Sequence, residues 1–341
     1  MLTRRQFIQT AAAATASAQT RPKRVAILGG ESDILAERFR TGYALDGAWH
    51  MPGMQVVDTV PGADAVLIAD DRGDQFFDQC VQAFAQDGRG VPAFIAGGLS
   101  ASFEKAKAMV DTSRRLRFPL LAGSALPVTF RLPPIELPLG CHMEEALMVG
   151  LRDFDAFEAL QCMVERRGRG ETGVRAVQCI EGDAVWKAGY SQELLTAALS
   201  RSDTPLGLTV TDGRTQDLVA SGQLPKLVEH PAAYFIEYRD GLKATVLLLN
   251  GAIQDFNFAA RIKGAREIQS TQFLLTPQPN ATYHTCLIHK AEQMFTTGIA
   301  PNPVERTLLV AGMLESCLKS KLQNHARLET PHLSVTYRAR S

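Results

Sequence analysis

No stretch of this sequence approaches the ~20 consecutive apolar residues of a membrane-spanning helix. No two cysteines form a C-x-x-C pair, which argues against zinc ribbons and thioredoxin-type redox sites. Neither sign of charge is in excess, since 36 Lys plus Arg balance 36 Asp plus Glu. Proteins that grip nucleic acid normally carry a basic surface, so only a local basic patch is left open. The sequence also lacks a G-x-S-x-G elbow, a Walker A loop and H-E-x-x-H spacing. Hydrolase and NTPase readings thereby lose their best-known signatures, and the histidines show no metal-ligand spacing. Composition excludes collagen, coiled coils and disulfide-rich miniproteins.

What is present is ordinary globular material. The 341 residues are 45% hydrophobic and 21% charged, enough apolar mass for a sizeable core. At ~150 residues per domain the length suggests two domains.

The amino terminus reads as an address. Arg4 and Arg5 precede Phe7 and Ile8, an Ala-rich run follows from Thr10, and Ala16-Ser17-Ala18 offers an A-x-A cleavage site. We read residues 1–18 as a twin-arginine leader handed to the twin-arginine export machinery. The expectation is a periplasmic or secreted protein; a frayed amphipathic helix is the plain alternative. No cysteine precedes Cys80, so no lipid-anchor cysteine follows the leader, and stable membrane insertion is not expected. Cys80, Cys141, Cys162, Cys179, Cys286 and Cys317 mostly sit in apolar surroundings and read as buried thiols. A disulfide is left open by an oxidising compartment.

Periodicity divides the rest. Residues 24–30 form a short apolar run ending in glycines, as a buried parallel strand does. Further strands are expected over 54–60, 64–69, 91–96 and 118–122, with helices over 33–40, 74–85 and 102–115 between them. Such alternation implies right-handed βαβ units and a doubly wound parallel sheet. The second half is different. Strands are expected over 174–180 and 184–187, and a helix over 191–201. An Asp-Gly turn at Asp240 joins the apolar runs of residues 233–249, a strong hairpin signal. Further strands over 256–262 and 271–275 and a helix over 303–321 complete an α+β unit with a mostly antiparallel sheet. Pro127, Pro133 and Pro134 mark the boundary, giving units 22–125 and 126–335.

This order resembles the glucose-fructose oxidoreductase / inositol dehydrogenase (Gfo/Idh/MocA) family over roughly residues 22–332. Four stretches carry the resemblance. Val25-Ala-Ile-Leu-Gly-Gly looks like the first strand and turn. Val91-Pro-Ala-Phe-Ile-Ala-Gly-Gly-Leu looks like the strand leading to the family's Glu-Lys-Pro motif. Arg166-Arg-Gly-Arg-Gly-Glu-Thr-Gly-Val looks like the lead into the large sheet. Glu292 to Ser320 looks like the closing helices. The resemblance implies a Rossmann domain followed by a large open-faced sheet, with NAD or NADP as cofactor and a carbohydrate or polyol as substrate. A homo-oligomer paired through the large sheet is implied by the same analogy.

The departures bear on function. In the frame Gly29-Gly30-Glu31-Ser32-Asp33-Ile34 only the first fingerprint glycine is kept. Glu31 and Asp33 would repel a pyrophosphate, and they suit a helix N-terminus. Asp58 stands where the family's acidic residue meets a ribose hydroxyl, 29 residues after Gly29 rather than the usual ~20. An insertion from Tyr43 to Gly53 holds Trp49 and His50. The cofactor-side candidates are therefore Gly29, Gly30, Asp58 and Asp70.

The motif lysine is missing from Ala96-Gly-Gly-Leu99, and residues 187–200 contain no histidine. Hydride transfer needs an acceptor for the hydroxyl proton. Other candidates are Lys187 as acid or base, Trp186 as a stacking platform, and Arg167 as a guanidinium clamp in Glu165-Arg-Arg-Gly-Arg-Gly-Glu171. His142 and Glu145, three apart, would share a face of a helix. The plain alternatives are a core Trp, a surface Lys, a mutually paired loop and an acidic first helical turn. Two readings stand: an exported NAD(P)-linked oxidoreductase acting on a carbohydrate or polyol, or a redox-inactive descendant that binds a sugar or a partner, or works on sugars without redox.

Overall fold

The computed structural model describes residues 21–29, 34–45, 47–70, 73–204, 214–275 and 282–340. The leader 1–18, Gly30, Glu31 and Asp33 lie outside the described residues.

A five-stranded parallel sheet forms first along the chain. Its strands are β1 (Lys23–Gly29), β4 (Met54–Val57), β5 (Ala65–Ala69), β6 (Ala93–Ala96) and β7 (Leu120–Gly123), in the order β4-β1-β5-β6-β7. All five residues of β5 are buried, as expected of a strand covered on both faces. Alternation along the strands sorts them into two layers. Ala26, Val66, Ile68 and Ile95 pack with α2 (Gly73–Asp87) and α3 (Phe103–Arg115). Val25, Ile27, Leu67 and Phe94 face α1 (Ile34–Thr41). The same layer receives Leu287, Ile288, Ala291, Met294 and Phe295 of α6 (Thr282–Thr297), a helix from far along the chain. Helix α3 begins where the Ser102 hydroxyl accepts the Lys105 N–H, and buries Phe103, Ala106, Met109 and Val110 along one stripe.

The insertion after α1 is a small antiparallel hairpin, β2 (Tyr43–Leu45) with β3 (Ala48–His50), lying against α6.

The second sheet has eight strands: β8 (Arg131–Leu132), β9 (Met143–Gly150), β10 (Val174–Glu181), β11 (Ala232–Tyr238), β12 (Lys243–Leu248), β13 (Phe256–Ile262), β14 (Gln269–Phe273) and β15 (Leu328–Glu329). Their order is β15-β10-β11-β12-β9-β13-β14-β8, with only β9 and β12 parallel. On one face Met148, Val246, Ile236 and Phe258 pack with α4 (Asp153–Val164) and α7 (Glu305–Leu322). That apolar cluster continues into the parallel sheet. On the other face Leu147, Val149, Leu247 and Ala259 pack with α5 (Gln192–Leu199), capped by the Ser191 hydroxyl. The architecture is the expected α/β arrangement of a parallel sheet followed by a large, mostly antiparallel one.

Two local expectations are corrected. Residues Gly182–Lys187 form a 3-10 turn rather than a strand. The sequence at His142–Glu145 opens the buried strand β9, not a helix, because its apolar residues pair with β12 and β13.

Candidate functional site

Strand order reverses on either side of β1: β4 lies beside it in one direction and β5 in the other. In open α/β sheets the ligand crevice lies outside the carboxyl ends of the strands at such a switch point. Here those ends are Gly29 and Ala69, which are paired in register. Gly29 has φ +71°, a left-handed conformation that favours glycine. A Cβ at Gly29 would stand 2.5 Å from the Cβ of Asp70 and 2.8 Å from its Oδ2. Asp70 thus lies against the backbone of the first turn. Asp58 follows β4 and is exposed, at the edge of the same crevice where the resemblance expects a ribose contact.

Two cavities flank the neighbouring strand ends and share Ala96, Gly97 and Phe154. The larger encloses about 590 Å³ and is lined by Asp70, Asp74, Asp153 and Glu315, with Lys105 the only basic group among its lining residues. Lys105 reaches Asp74 at 3.4 Å, and Ser100 donates to the same carboxylate at 3.4 Å. Burial alone would raise Glu315, but Lys319 and the Phe103 N–H outweigh it and hold the carboxyl below its usual range.

The smaller cavity, about 230 Å³, lies between the two sheets. Leu35, Leu126, Leu275 and Leu287 form apolar walls, and Ser124, Arg152, Asp155, Tyr283 and His284 supply polar groups. Ser124 sits just beyond β7, Arg152 and Asp155 begin α4, and Tyr283 and His284 begin α6. Asp155 is clamped from two sides: Ser124 Oγ donates to it at 2.5 Å and Arg152 Nε at 2.5 Å. The rings of Tyr283 and His284 lie 4.2 Å apart. Apolar walls with a few convergent polar groups suit a small ligand with both an apolar face and hydroxyls. Sequence reasoning missed this set because its members come from three distant segments. The rule that ligands sit beyond the carboxyl ends of parallel strands would have drawn attention to Ser124.

The candidates named from sequence are scattered. Lys187 is exposed and ends the 3-10 turn, and Trp186 packs in the layer with α5. Strand alternation turns that layer away from the parallel sheet, so neither residue reaches the cavities. His142 is exposed ahead of β9, and along a strand residues three apart point to opposite faces, so it shares no face with Glu145.

Arg167 is not a substrate clamp. It is buried, and its guanidinium is already fully engaged. Nη1 and Nη2 donate to Glu171 at 3.0 and 3.1 Å, Nε donates to Asp240 at 2.8 Å, and the plane lies 4.2 Å from the Tyr238 ring. Glu171 also accepts the backbone N–H groups of Thr172 and Gly173. Gln161 Nε2 links Glu171 to the Tyr337 hydroxyl, and Tyr337 donates to Glu165 at 2.8 Å. Arg306 Nε closes the network on Glu165 at 2.9 Å. These are structural charges, each paired as burial requires.

No two of the six cysteines are joined in a disulfide. Burial pushes Cys80 up to about 12 and Cys179 up to about 11, which suits inert packing groups.

No family model matches the sequence, and no curated protein matches it. Solved structures do match. The fold is shared with GenD2 from gentamicin A biosynthesis, in complex with NAD, at TM-score 0.56 and 12% identity over 92% of this chain and 97% of that one. It is shared with the myo-inositol dehydrogenase of Lactobacillus casei, in complex with NAD(H) and myo-inositol, at TM-score 0.54 and 9% identity over 91% and 97%. A putative myo-inositol dehydrogenase from Sinorhizobium meliloti matches at TM-score 0.53 and 12% identity over 90% and 99%. At such identities the common property is the fold, and it spans nearly the whole length of each chain.

Proposed function

We propose that this chain is an exported oxidoreductase that acts on a small polyol or carbohydrate with NAD or NADP. The reading is carried by one observation: the 230 Å³ cavity, with its apolar walls and polar rim, adjoins strand ends beside the switch-point crevice. The fold shared with structures holding NAD and myo-inositol supports the same reading. Two residues at the strand end suit a dinucleotide: Gly29 makes a tight left-handed turn, with the Asp70 side chain filling the space beside it, and the exposed Asp58 offers a carboxylate to ribose hydroxyls. A nicotinamide, when bound, supplies hydride acceptance there.

The chain's own residues supply the rest. Asp155, held by Ser124, fixes the Arg152 guanidinium at the rim, where it orients a substrate hydroxyl. His284 accepts the proton of the reacting hydroxyl, the task left open by the missing lysine; an imidazole is suited to it near neutral pH. The leucine walls exclude water from the reacting carbon. On this reading residues 1–18 act as a twin-arginine leader that directs the activity to the periplasm or outside the cell.

A second reading has its own support. Four carboxylates against one lysine line the larger cavity, an unwelcoming wall for a pyrophosphate. On that reading the fold has lost the dinucleotide, and the smaller cavity binds a sugar without redox.

Calorimetric titration with NAD, NADP and their reduced forms separates the two. Micromolar binding that weakens about tenfold or more in Asp58→Ala supports the oxidoreductase, since hydrogen bonds to a charged group contribute about 1.5–3 kcal/mol. No binding up to millimolar overturns it and leaves the sugar-binding descendant.

A further inference from the structure

Away from the crevice, the inserted hairpin carries a cluster that the proposed reaction does not use. Tyr43 on β2 and His50 on β3 are paired cross-strand neighbours, so both side chains point from one face of the hairpin toward α6. That helix presents His289 and Glu292, three residues apart and hence on one face. His50 Nε2 lies 2.9 Å from Glu292 Oε2, and one ligand atom from each of His50, His289 and Glu292 lies within 4.8 Å of the others.

We propose that His50, His289 and Glu292 form a binding site for one divalent transition-metal ion of the zinc class, which fastens the hairpin to α6. Two imidazoles and a carboxylate with an open fourth position are a donor set that borderline metals prefer. Bonds of about 2.0–2.1 Å in a tetrahedron place ligand atoms roughly 3.3 Å apart, so the three groups need move little to close on an ion. The second shell is in place. Tyr43 donates its hydroxyl proton to Glu292 Oε2 at 2.7 Å, and the Gly53 N–H donates to Oε1 at 3.2 Å. Having used its proton there, Tyr43 has none to give His289 Nδ1, 3.4 Å away. The other nitrogen, His289 Nε2, faces Gln293 Nε2 at 3.0 Å. A half-turn of that amide would bring its oxygen to Nε2, which would then keep its proton and leave the Nδ1 lone pair pointing into the cluster, as a metal-bound histidine requires. His50 is partly exposed and gives an ion a path from solvent, while Glu292 is only 13% exposed.

The test is a zinc titration of the full chain in competition with a chromophoric chelator, repeated with cobalt to read its visible absorption bands. One equivalent is expected, weakened about 100-fold in His289→Ala and Glu292→Gln and about tenfold in Gln293→Ala. His50→Ala, on the partly exposed hairpin outside both sheets, gives the same loss without threatening the core. His230→Ala, at an exposed site, changes nothing. Absence of a stoichiometric site at micromolar zinc, or affinity unchanged in folded His50→Ala, overturns the proposal. These results do not depend on whether the crevice binds a dinucleotide.

Discussion

The side chain of Asp70 lies against the backbone of Gly29, so close that a Cβ at Gly29 would stand 2.5 Å from the Asp70 Cβ. Gly29→Ala therefore meets two penalties, a left-handed φ and a clash. A loss of roughly 1–3 kcal/mol is expected in urea unfolding. The double variant with Asp70→Ala removes only the contact with the carboxylate and keeps both the Cβ–Cβ clash and the strain, so it is expected to remain destabilised by at least about 1 kcal/mol. A neutral Gly29→Ala would contradict this turn.

In the smaller cavity, His284 is the proton acceptor of the proposed reaction. His284→Asn keeps much of its shape but removes the basic imidazole. Oxidation of a polyol substrate is then expected to lose about 100-fold or more in kcat, with KM within a few-fold. Steady-state kinetics in the reducing and oxidising directions check this, and equal loss in both follows from microscopic reversibility. An unchanged kcat would remove His284 from the chemistry.

Burial pushes the Glu158 carboxyl up to about 7, against the opposing pull of Arg306 and the Thr307 hydroxyl. A group raised in the folded state contributes its stability fully below its unfolded value near 4.5, and that contribution is lost as pH rises through about 7. The loss attributable to Glu158 is about 3 kcal/mol, at 1.36 kcal/mol per unit. Urea unfolding from about pH 4.5 to about pH 8 is expected to show it in the native chain and not in Glu158→Gln, whose amide stays neutral. Glu237 acts oppositely: hydrogen bonding to Arg327 leads the effects that hold it down at about 2, so its contribution is present above 4.5 and fades as pH falls toward 2.

Arg306 and Glu165 are both buried, and Tyr337 adds a hydrogen bond to the same carboxylate. Arg306→Leu leaves that charge without its cation and is expected to cost about 3–5 kcal/mol. Adding Glu165→Gln is expected to restore more than half, because it removes the unpaired charge. Chemical denaturation of the two variants measures the difference.

Elements with local signals were legible in the sequence. The apolar run before Gly29 is β1, and the Asp-Gly turn at Asp240 joins β11 to β12. Strand β9 was not legible, because Met143-Glu-Glu-Ala carries acids that suit a helix start. Its strand character comes from flanking partners 98 to 119 residues away in the chain. Arg167 looked like a ligand clamp because the sequence shows its charge but not Asp240, 73 residues on. His50 was noticed inside the insertion, but its partners were not. The three-residue spacing of His289 and Glu292 was a usable helical signal, but only Glu292 fell inside the stretch read as closing helices.

The buried network joins residues far apart in order of synthesis: Glu165 precedes Arg306 by 141 positions and Tyr337 by 172. At about 5–20 residues per second, roughly 7 to 28 seconds separate the emergence of Glu165 from that of Arg306. Throughout that interval the carboxylate has no guanidinium to meet it. The helix that carries Gln161 must keep this end in contact with water, or close over an uncompensated charge. The layer between the two sheets is thus sealed late, by pieces made last. An export route that carries folded chains would require that sealing to finish before the membrane is crossed.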